Sequence, residues 1–149
     1  MRAVVQRVRS ASVSVNDETL SRIGVGLLVY AAAAPDDCDE DVKYLADKIV
    51  GLRVFNDASG KMNLDVLAAR GEVLLVSAFT VLADARRGRR PSFDSAASGE
   101  VARPLIDELA GRMRTRGVAV ACGRFAEAML VASVNDGPIC LLLDSRRVV

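Results

Sequence analysis

The sequence predicts an α+β fold of the layered β/β/α kind, with mostly antiparallel strands and two helices, in a single domain spanning residues 1–149. Three observations predict this fold. Apolar runs of strand length recur along the whole chain, and only two segments space their apolar residues as a helix does. No repeat, low-complexity segment or flexible linker divides the chain, which is long enough to bury a sizeable core.

The strands are predicted from runs of apolar and β-branched residues. Residues 2–8 and 11–15 are expected to form two short strands that pair with each other, and 24–30 a third, buried strand. The later strands are expected at 52–55, 71–79, 118–122, 128–134 and 139–143. Asn135–Pro138 has the composition of a turn and is expected to join the last two.

The two helices are predicted from apolar spacing and end signals. The first is expected to begin at Asp37, with Glu40 completing a capping box, and to end at Gly51 in the left-handed conformation. Its apolar face carries Val42, Leu45, Ala46, Ile49 and Val50. The second helix is expected over residues 103–116, with Pro104 in its first turn. Its apolar face carries Leu105, Leu109, Ala110 and Met113.

The composition excludes several classes of function. The chain has no histidine, which rules out Ser-His-Asp and Cys-His mechanisms and removes the commonest metal ligand. A net charge of +1 and an aromatic content of 4% disfavour a protein coated in nucleic acid, although one local basic patch remains possible. Three dispersed cysteines and the absence of an apolar run of membrane length predict a reduced, cytoplasmic protein.

The end of the apolar segment 71–79 is the first candidate site. Ser77-Ala78-Phe79-Thr80 presents two hydroxyls and the backbone N–H groups of a strand end. Fixed donors of this kind stabilise an oxyanion without any histidine. The alternative is a buried strand whose hydroxyls are satisfied by the backbone.

A basic loop is the second candidate site. Arg86, Arg87, Arg89 and Arg90 surround Gly88, an arrangement suited to phosphate contacts. The alternative is a solvated surface loop in a chain that is rich in arginine throughout.

Three further features have simpler interpretations. Asn135–Pro138 is a common turn composition, but its Gly-Pro peptide can be cis and would then aim two carbonyl oxygens the same way. Cys122 and Cys140 are expected to be small core residues. The acidic residues from Asp36 to Asp41 fit a helix start better than a metal site.

Taken together, these segments resemble the D-aminoacyl-tRNA deacylase family, also called the D-tyrosyl-tRNA deacylases. The resemblance rests on eight phrases in one order along nearly the whole chain: MRAVVQRVRSASVSV, IGVGLLVY, LRVFND, GKMNLDV, GEVLLVSAFTV, RRGRRPSF, GRFAEAM and VNDGPICLLLDS. It implies a β-barrel-like homodimer with two active sites at the subunit interface, and neither a cofactor nor a metal. The implied reaction is hydrolysis of the ester that joins a D-amino acid, or glycine, to the terminal ribose of tRNA, which releases the free D-amino acid as a proofreading step of translation.

The resemblance also implies roles for individual residues. Ser77, Phe79 and Thr80 match the family's Ser-Gln-Phe-Thr motif at the floor of the active site and are the implied catalytic residues. Gly137 and Pro138 match its Gly-cisPro motif, which reaches into the partner's active site and leaves no room for an L side chain. The implied residues for substrate and chiral selection are Ala78, Gly137, Pro138 and Met129, and those for tRNA binding are Arg86, Arg87, Arg89 and Arg90.

The missing histidine agrees with the implied chemistry. An aminoacyl ester is already activated, so a positioned water and backbone N–H groups near Phe79 and Thr80 can suffice, with help from the ribose 2′-OH. Thr80 as a nucleophile is the alternative, but no base lies beside it in the sequence.

The sequence departs from the family pattern near the implied pocket. Ala78 replaces a Gln, Cys140 and Ala85 each replace a Thr, and Ala126-Glu127-Ala128 replaces Gly-Ala-x before Met129. These departures bear on catalytic rate and substrate range. They leave two competing hypotheses: a nucleic-acid-binding module that kept the fold and lost turnover, and a structural dimer whose Gly-Pro step is only a turn.

Overall fold

The computed structural model describes residues 1–149 and confirms the α+β class, with eight strands and two helices. The strands are β1 (Arg2–Val15), β2 (Glu18–Ile23), β3 (Gly26–Ala32), β4 (Phe55–Asn56), β5 (Met62–Leu64), β6 (Glu72–Ser77), β7 (Val120–Cys122) and β8 (Leu130–Asp144). The helices are α1 (Asp39–Gly51) and α2 (Gly99–Thr115), and a 3₁₀ turn covers Phe79–Leu82. No helix has the length and apolar character needed to cross a membrane.

The main sheet has the order β2-β1-β3-β6-β7, and β8 pairs with β1. Strand β1 is antiparallel to β2, β3 and β8, whereas β6 is parallel to both β3 and β7. The carboxyl ends of β3 and β6 therefore lie side by side at one edge. A separate two-stranded sheet joins β4 to β5.

The predicted pairing of residues 2–8 with 11–15 is wrong, because both belong to the single strand β1. Its first half pairs with β3 and its second half with β2. The hairpin turn is Asn16-Asp17, where both residues have positive φ (50° and 63°). Positive φ at both central residues is typical of a tight two-residue hairpin.

The predicted turn at Asn135–Pro138 is also wrong, because β8 runs through it. Val8 pairs with Asn135 and Gln6 with Cys140, so residues 136–139 stand opposite the single residue Arg7. Strand β1 supplies partners on both sides, which keeps β8 continuous while the extra residues bulge out of the ladder. We call residues 135–140 the β8 bulge.

The helix ends differ from the predicted ones by a few residues. Helix α1 has Cys38 rather than Asp37 as its N-cap, and the Asp41 carboxylate accepts the Cys38 N–H (2.9 Å). Gly51 lies inside the helix and is followed by the extended residue Leu52, so the predicted left-handed conformation of Gly51 is wrong. Helix α2 begins at Gly99, which places Pro104 in the second turn.

The helices cover one face of the sheet and build the larger core. Leu27, Val29, Val73 and Leu75 point to that face, where they meet Leu45, Ile49, Leu109 and Met113 of the helices. The alternate residues Leu28, Leu74 and Val76 belong to a smaller cluster on the opposite face. This alternation makes β3 and β6 buried on both faces, which explains their continuous apolar sequences.

Candidate active site

The site begins where β6 ends. Ser77 is the last residue of β6 and pairs with Ala31 of β3, and the next N–H, that of Ala78, donates to the Ala31 carbonyl (2.9 Å). The chain then enters the 3₁₀ turn, so the predicted strand 71–79 is two residues too long at this end. The change of direction turns Phe79 and Thr80 outward, and both are exposed.

A cleft of about 770 Å³ opens at this point. It gathers five of the predicted site residues: Ser77, Ala78, Phe79, Thr80 and Met129. Its walls come from the end of β3, the start of α2 and the segment before β8. Fifteen of its 19 lining residues are hydrophobic, so its few polar groups determine what it can recognise.

The polar groups of the cleft suit stabilisation of an oxyanion better than nucleophilic attack. The first N–H groups of a helical turn have no partner within it, so those of Phe79 and Thr80, which begin the 3₁₀ turn and line the cleft, are available to a ligand. Ser77 and Thr80 add two hydroxyl side chains to the lining of the same cleft. The chain has no histidine, and Glu127 is the one carboxylate that lines the cleft.

Several cleft residues were missed or undervalued by sequence reasoning. Tyr30 and Phe125 line the cleft although neither is among the predicted site residues. Burial raises the pKa of the Tyr30 hydroxyl above its ordinary value, so this group stays protonated and can donate a hydrogen bond. The available signal was the hydroxyl, since Tyr30 is the one residue of β3 with a polar group on its side chain.

The segment before β8 is shaped by two backbone features. A Cβ at Gly123 would lie 2.7 Å from Met129 Sδ, so glycine leaves room for Met129 to pack there in its present position. Ala126 has a φ of 62°, in the left-handed region that favours glycine. Both features set the path of the residues that form this wall of the cleft.

Gly137 and Pro138 do not line the cleft of their own chain. Both are exposed at the crest of the β8 bulge, and the peptide bond between them is cis. Gly137 has a φ of 128°, and a Cβ there would lie 2.8 Å from Ile139 Cγ1. Within one chain, the structure therefore separates this predicted pair from the other site residues.

The β8 bulge is braced from inside by Arg7. This buried guanidinium donates to the Val54 carbonyl (2.5 Å) and to the Asp136 carbonyl (3.2 Å). The Asn135 amide donates to the carbonyls of Arg7 and Ile139 (3.0 and 2.9 Å). The brace fixes the base of the bulge and leaves its crest free.

The basic loop is closed and lies next to the cleft. Asp84 and Ser92 exchange two backbone hydrogen bonds at its neck (2.8 and 2.9 Å). The rings of Phe79 and Phe93 meet edge to face with 5.1 Å between their centres, which joins the loop to the cleft. The predicted arginines Arg86, Arg87, Arg89 and Arg90 are all exposed.

One of these arginines is already engaged. Arg86 donates to both Asp84 oxygens (2.9 and 2.7 Å), and these hydrogen bonds hold the pKa of the Asp84 carboxyl well below its usual range. Arg87, Arg89 and Arg90 form no ion pair in the structure. They are the cations of the loop that remain for an anionic ligand.

The cysteines differ from the expectation that they are core residues. Cys140 is exposed on the outward face of β8, and Cys122 is half-buried. The Gln6 amide lies 3.8 Å from Cys140 Sγ across the strand pair. No group of three His, Cys, Asp or Glu side chains is arranged to hold a metal ion.

Comparison with known proteins identifies the family of this chain. The family model described as D-Tyr-tRNA(Tyr) deacylase matches residues 4–144. The chain is 54% identical to the D-aminoacyl-tRNA deacylase of Syntrophobacter fumaroxidans over 99% of both chains. It is 52% identical to that of a Roseiflexus species, over 97% of this chain and 94% of the relative.

Two solved structures share the fold. One, described as a c-Myc DNA unwinding element binding protein, has a TM-score of 0.91 at 36% identity and covers 97% of this chain and 98% of that one. The other, described as a probable eukaryotic D-amino acid tRNA deacylase, has a TM-score of 0.84 at 18% identity and covers 96% and 98%. The extent of the family match and the identity to the relatives show that this chain belongs to the D-Tyr-tRNA(Tyr) deacylase family.

Proposed function

We propose that this chain hydrolyses the ester bond of D-aminoacyl-tRNA and releases the free D-amino acid and tRNA. The observation that carries the proposal is the cleft at the end of β6, which gathers Ser77, Ala78, Phe79, Thr80 and Met129 in a chain of this family. The three cysteines are free, in keeping with activity in the reducing cytoplasm, where translation takes place.

The proposed chemistry uses donors in place of a general base. The ester carbonyl would lie against the N–H groups of Phe79 and Thr80, which stabilise the oxyanion formed when water attacks. The Thr80 hydroxyl would hold that water, and the ribose 2′-OH of the substrate would assist the leaving group. A nucleophilic Thr80 is not favoured, because it would need a base to remove its proton and the cleft contains no histidine. The one carboxylate of the cleft, that of Glu127, lies on the segment before β8.

We propose that chiral selection requires a second copy of the chain. Gly137 and Pro138 are exposed on the β8 bulge and outside their own cleft, so they can meet a substrate only in a partner's cleft. In a homodimer, their backbone carbonyls would occupy the space that an L side chain needs, while the hydrogen of glycine would fit. Glycyl-tRNA is then a second substrate.

The outward face of β8 offers a surface for this homodimer. Cys140 and Leu142 lie on it two residues apart, and both are exposed, Leu142 with 48% of its surface. Exposed apolar side chains in a row along a strand favour burial against another protein. The same strand carries the β8 bulge, so burial of this face would bring the bulge to the partner.

The basic loop is proposed to bind the 3′ end of tRNA. Arg87, Arg89 and Arg90 would contact phosphates without reading sequence, and the Phe79–Phe93 contact holds the loop beside the cleft. Replacing all three arginines with glutamine should flatten the plot of log affinity against log salt by about 2, at roughly 0.7 per lost contact with a single strand. The same change at Arg22, Arg53 and Arg70, outside the loop, is the matched control, and an unchanged slope in the loop variant would refute the assignment.

The function is tested by incubating the purified protein with D-tyrosyl-, L-tyrosyl- and glycyl-tRNA. We expect fast release of D-tyrosine and glycine and no release of L-tyrosine above the spontaneous rate. Equal hydrolysis of the D and L esters would reject chiral selection but would still support the proposed esterase activity. Binding of tRNA without any release would reject the enzyme.

A nucleic-acid-binding module without turnover is the second candidate. Two observations favour it: Ala78 removes a side-chain amide from the cleft, and one close structural relative is described as a DNA-unwinding-element binding protein. Replacing Ala78 with Gln separates the two candidates. An enzyme should change its rate with this substitution, whereas a binding module should stay without turnover.

A further inference from the structure

The cleft contains one charged side chain. Glu127 lines it among hydrophobic residues, the hydroxyl residues Tyr30, Ser77 and Thr80, and glycine. No lysine, arginine or aspartate shares the lining. The electrostatic preference of this cleft for a cation or an anion is therefore set mainly by this carboxylate.

The Glu127 carboxylate has no cationic partner within the chain. It takes part in none of the ion pairs of the structure. The cation beside the cleft, Arg103, lies over the ring of Phe125 instead, 5.0 Å from its centre. The left-handed Ala126 and the Glu127 N–H, which donates to the Arg124 carbonyl (3.4 Å), fix the backbone from which this side chain projects.

An unpaired carboxylate is unfavourable next to the end of a polyanion unless the ligand supplies a cation. The aminoacyl end of tRNA has one such group, the α-ammonium, two bonds from the ester carbonyl. We propose, on the basis of the function proposed above, that Glu127 binds this α-ammonium and selects substrates with a free amino group. The contact is charge-assisted, and it orients the acyl group with its carbonyl towards Phe79 and Thr80.

The test compares two esters that differ only at this group. One is D-tyrosyl-tRNA, and the other is the tRNA ester of the matching D-hydroxy acid, in which a hydroxyl replaces the ammonium. We expect wild-type protein to show a KM about tenfold lower for the amino ester, a modest factor because Glu127 is exposed. Glu127→Gln should abolish this difference in KM between the two esters, and Glu127→Asp should restore part of it.

Glu18→Gln is the matched control, since Glu18 is exposed, unpaired and outside the cleft. It removes the same charge and should preserve the preference for the amino ester. A Glu127→Gln variant that keeps the wild-type preference would overturn the inference, as would an equal gain in affinity for both esters, which would show simple repulsion of tRNA. Wild-type protein that hydrolyses neither ester would instead overturn the proposed function itself.

Discussion

The cleft and the β8 bulge are built in opposite ways. The cleft is concave, mostly apolar and lined by residues of one chain, because parallel β3 and β6 end side by side and the chain turns at once into the 3₁₀ segment. The β8 bulge is convex, held by polar contacts at its base and unsupported at its crest. The crest of the β8 bulge does not line the cleft of its own chain, so its convex shape is suited to the concave cleft of a second copy. Each chain carries one bulge and one cleft.

Removal of the brace should have the largest effect, on stability and on the bulge together. Arg7→Ala leaves the buried Val54 carbonyl without its donor and opens a gap beneath Gly137. We expect a loss of about 2–4 kcal/mol in the free energy of unfolding, measured by urea denaturation, and weaker discrimination between D and L esters.

Arg9→Ala is the control for this change. Arg9 approaches the same Asp136 (3.7 Å), but 74% of its side chain is exposed. Its loss should change the unfolding free energy by less than about 0.5 kcal/mol. Similar losses for both variants would show that the brace does not support the bulge.

A change in the cleft should affect rate and leave selectivity intact. Thr80→Val removes the hydroxyl at nearly constant volume and should lower kcat for D-tyrosyl-tRNA by about ten- to hundredfold, because the attacking water loses its anchor. Thr80→Ser should keep most of the activity. Trapping of an acyl–enzyme ester in the Ser variant would contradict the positioning role.

A change at the crest should have the reverse effect. Pro138→Ala lies at an exposed position and should leave the fold intact, while the backbone loses the restriction that proline imposes. We expect the ratio of D to L hydrolysis to fall by about tenfold or more while the rate on the D ester changes little. Measurement of both rates on matched tyrosyl-tRNAs checks this, and an unchanged ratio would place the chiral filter elsewhere.

The smallest effect is expected in the wall of the cleft. Ala126→Gly should raise the unfolding free energy by about 0.5–1 kcal/mol, because φ is 62° at this position and glycine adopts it without a steric cost. Ala128→Gly, two residues on and without positive φ, is the control and should be slightly destabilising. Equal effects of the two changes would show that the left-handed position carries no strain.

The difference between the two regions also explains what the sequence could predict. The candidate site at Ser77 to Thr80 could be predicted because these residues end an apolar strand, and the end of such a strand is visible in the local sequence. The β8 bulge has the composition of a turn, and its continuity depends on β1, more than 120 residues away, whose residues pair on both sides of it. Turn-forming residues are the same in a hairpin and in a bulge, so local composition could not separate them.

Errors at the helix ends have a similar origin. Asp37 is a residue type that often caps helices, but its carboxylate accepts the N–H of Ala34, three residues before it (2.6 Å). Cys38 is the N-cap instead. Glu127 appeared in the sequence only as a departure from a family pattern. Its position as the one charge in an apolar cleft depends on how α2, β3 and the segment before β8 meet, which no local pattern contains.

The central claim is that the cleft of one copy works with the bulge of the other. The most direct test is a heterodimer of one Thr80→Val chain and one Pro138→Ala chain, purified through two different tags and assayed on D- and L-tyrosyl-tRNA. If the sites are shared between copies, one site has an intact cleft and an intact bulge, while the other has both defects. We then expect about half of the wild-type rate on the D ester, and hydrolysis of the L ester at least about tenfold slower than by the Pro138→Ala homodimer. Hydrolysis of the L ester at about half the rate of the Pro138→Ala homodimer would contradict it, because each bulge would then serve its own cleft.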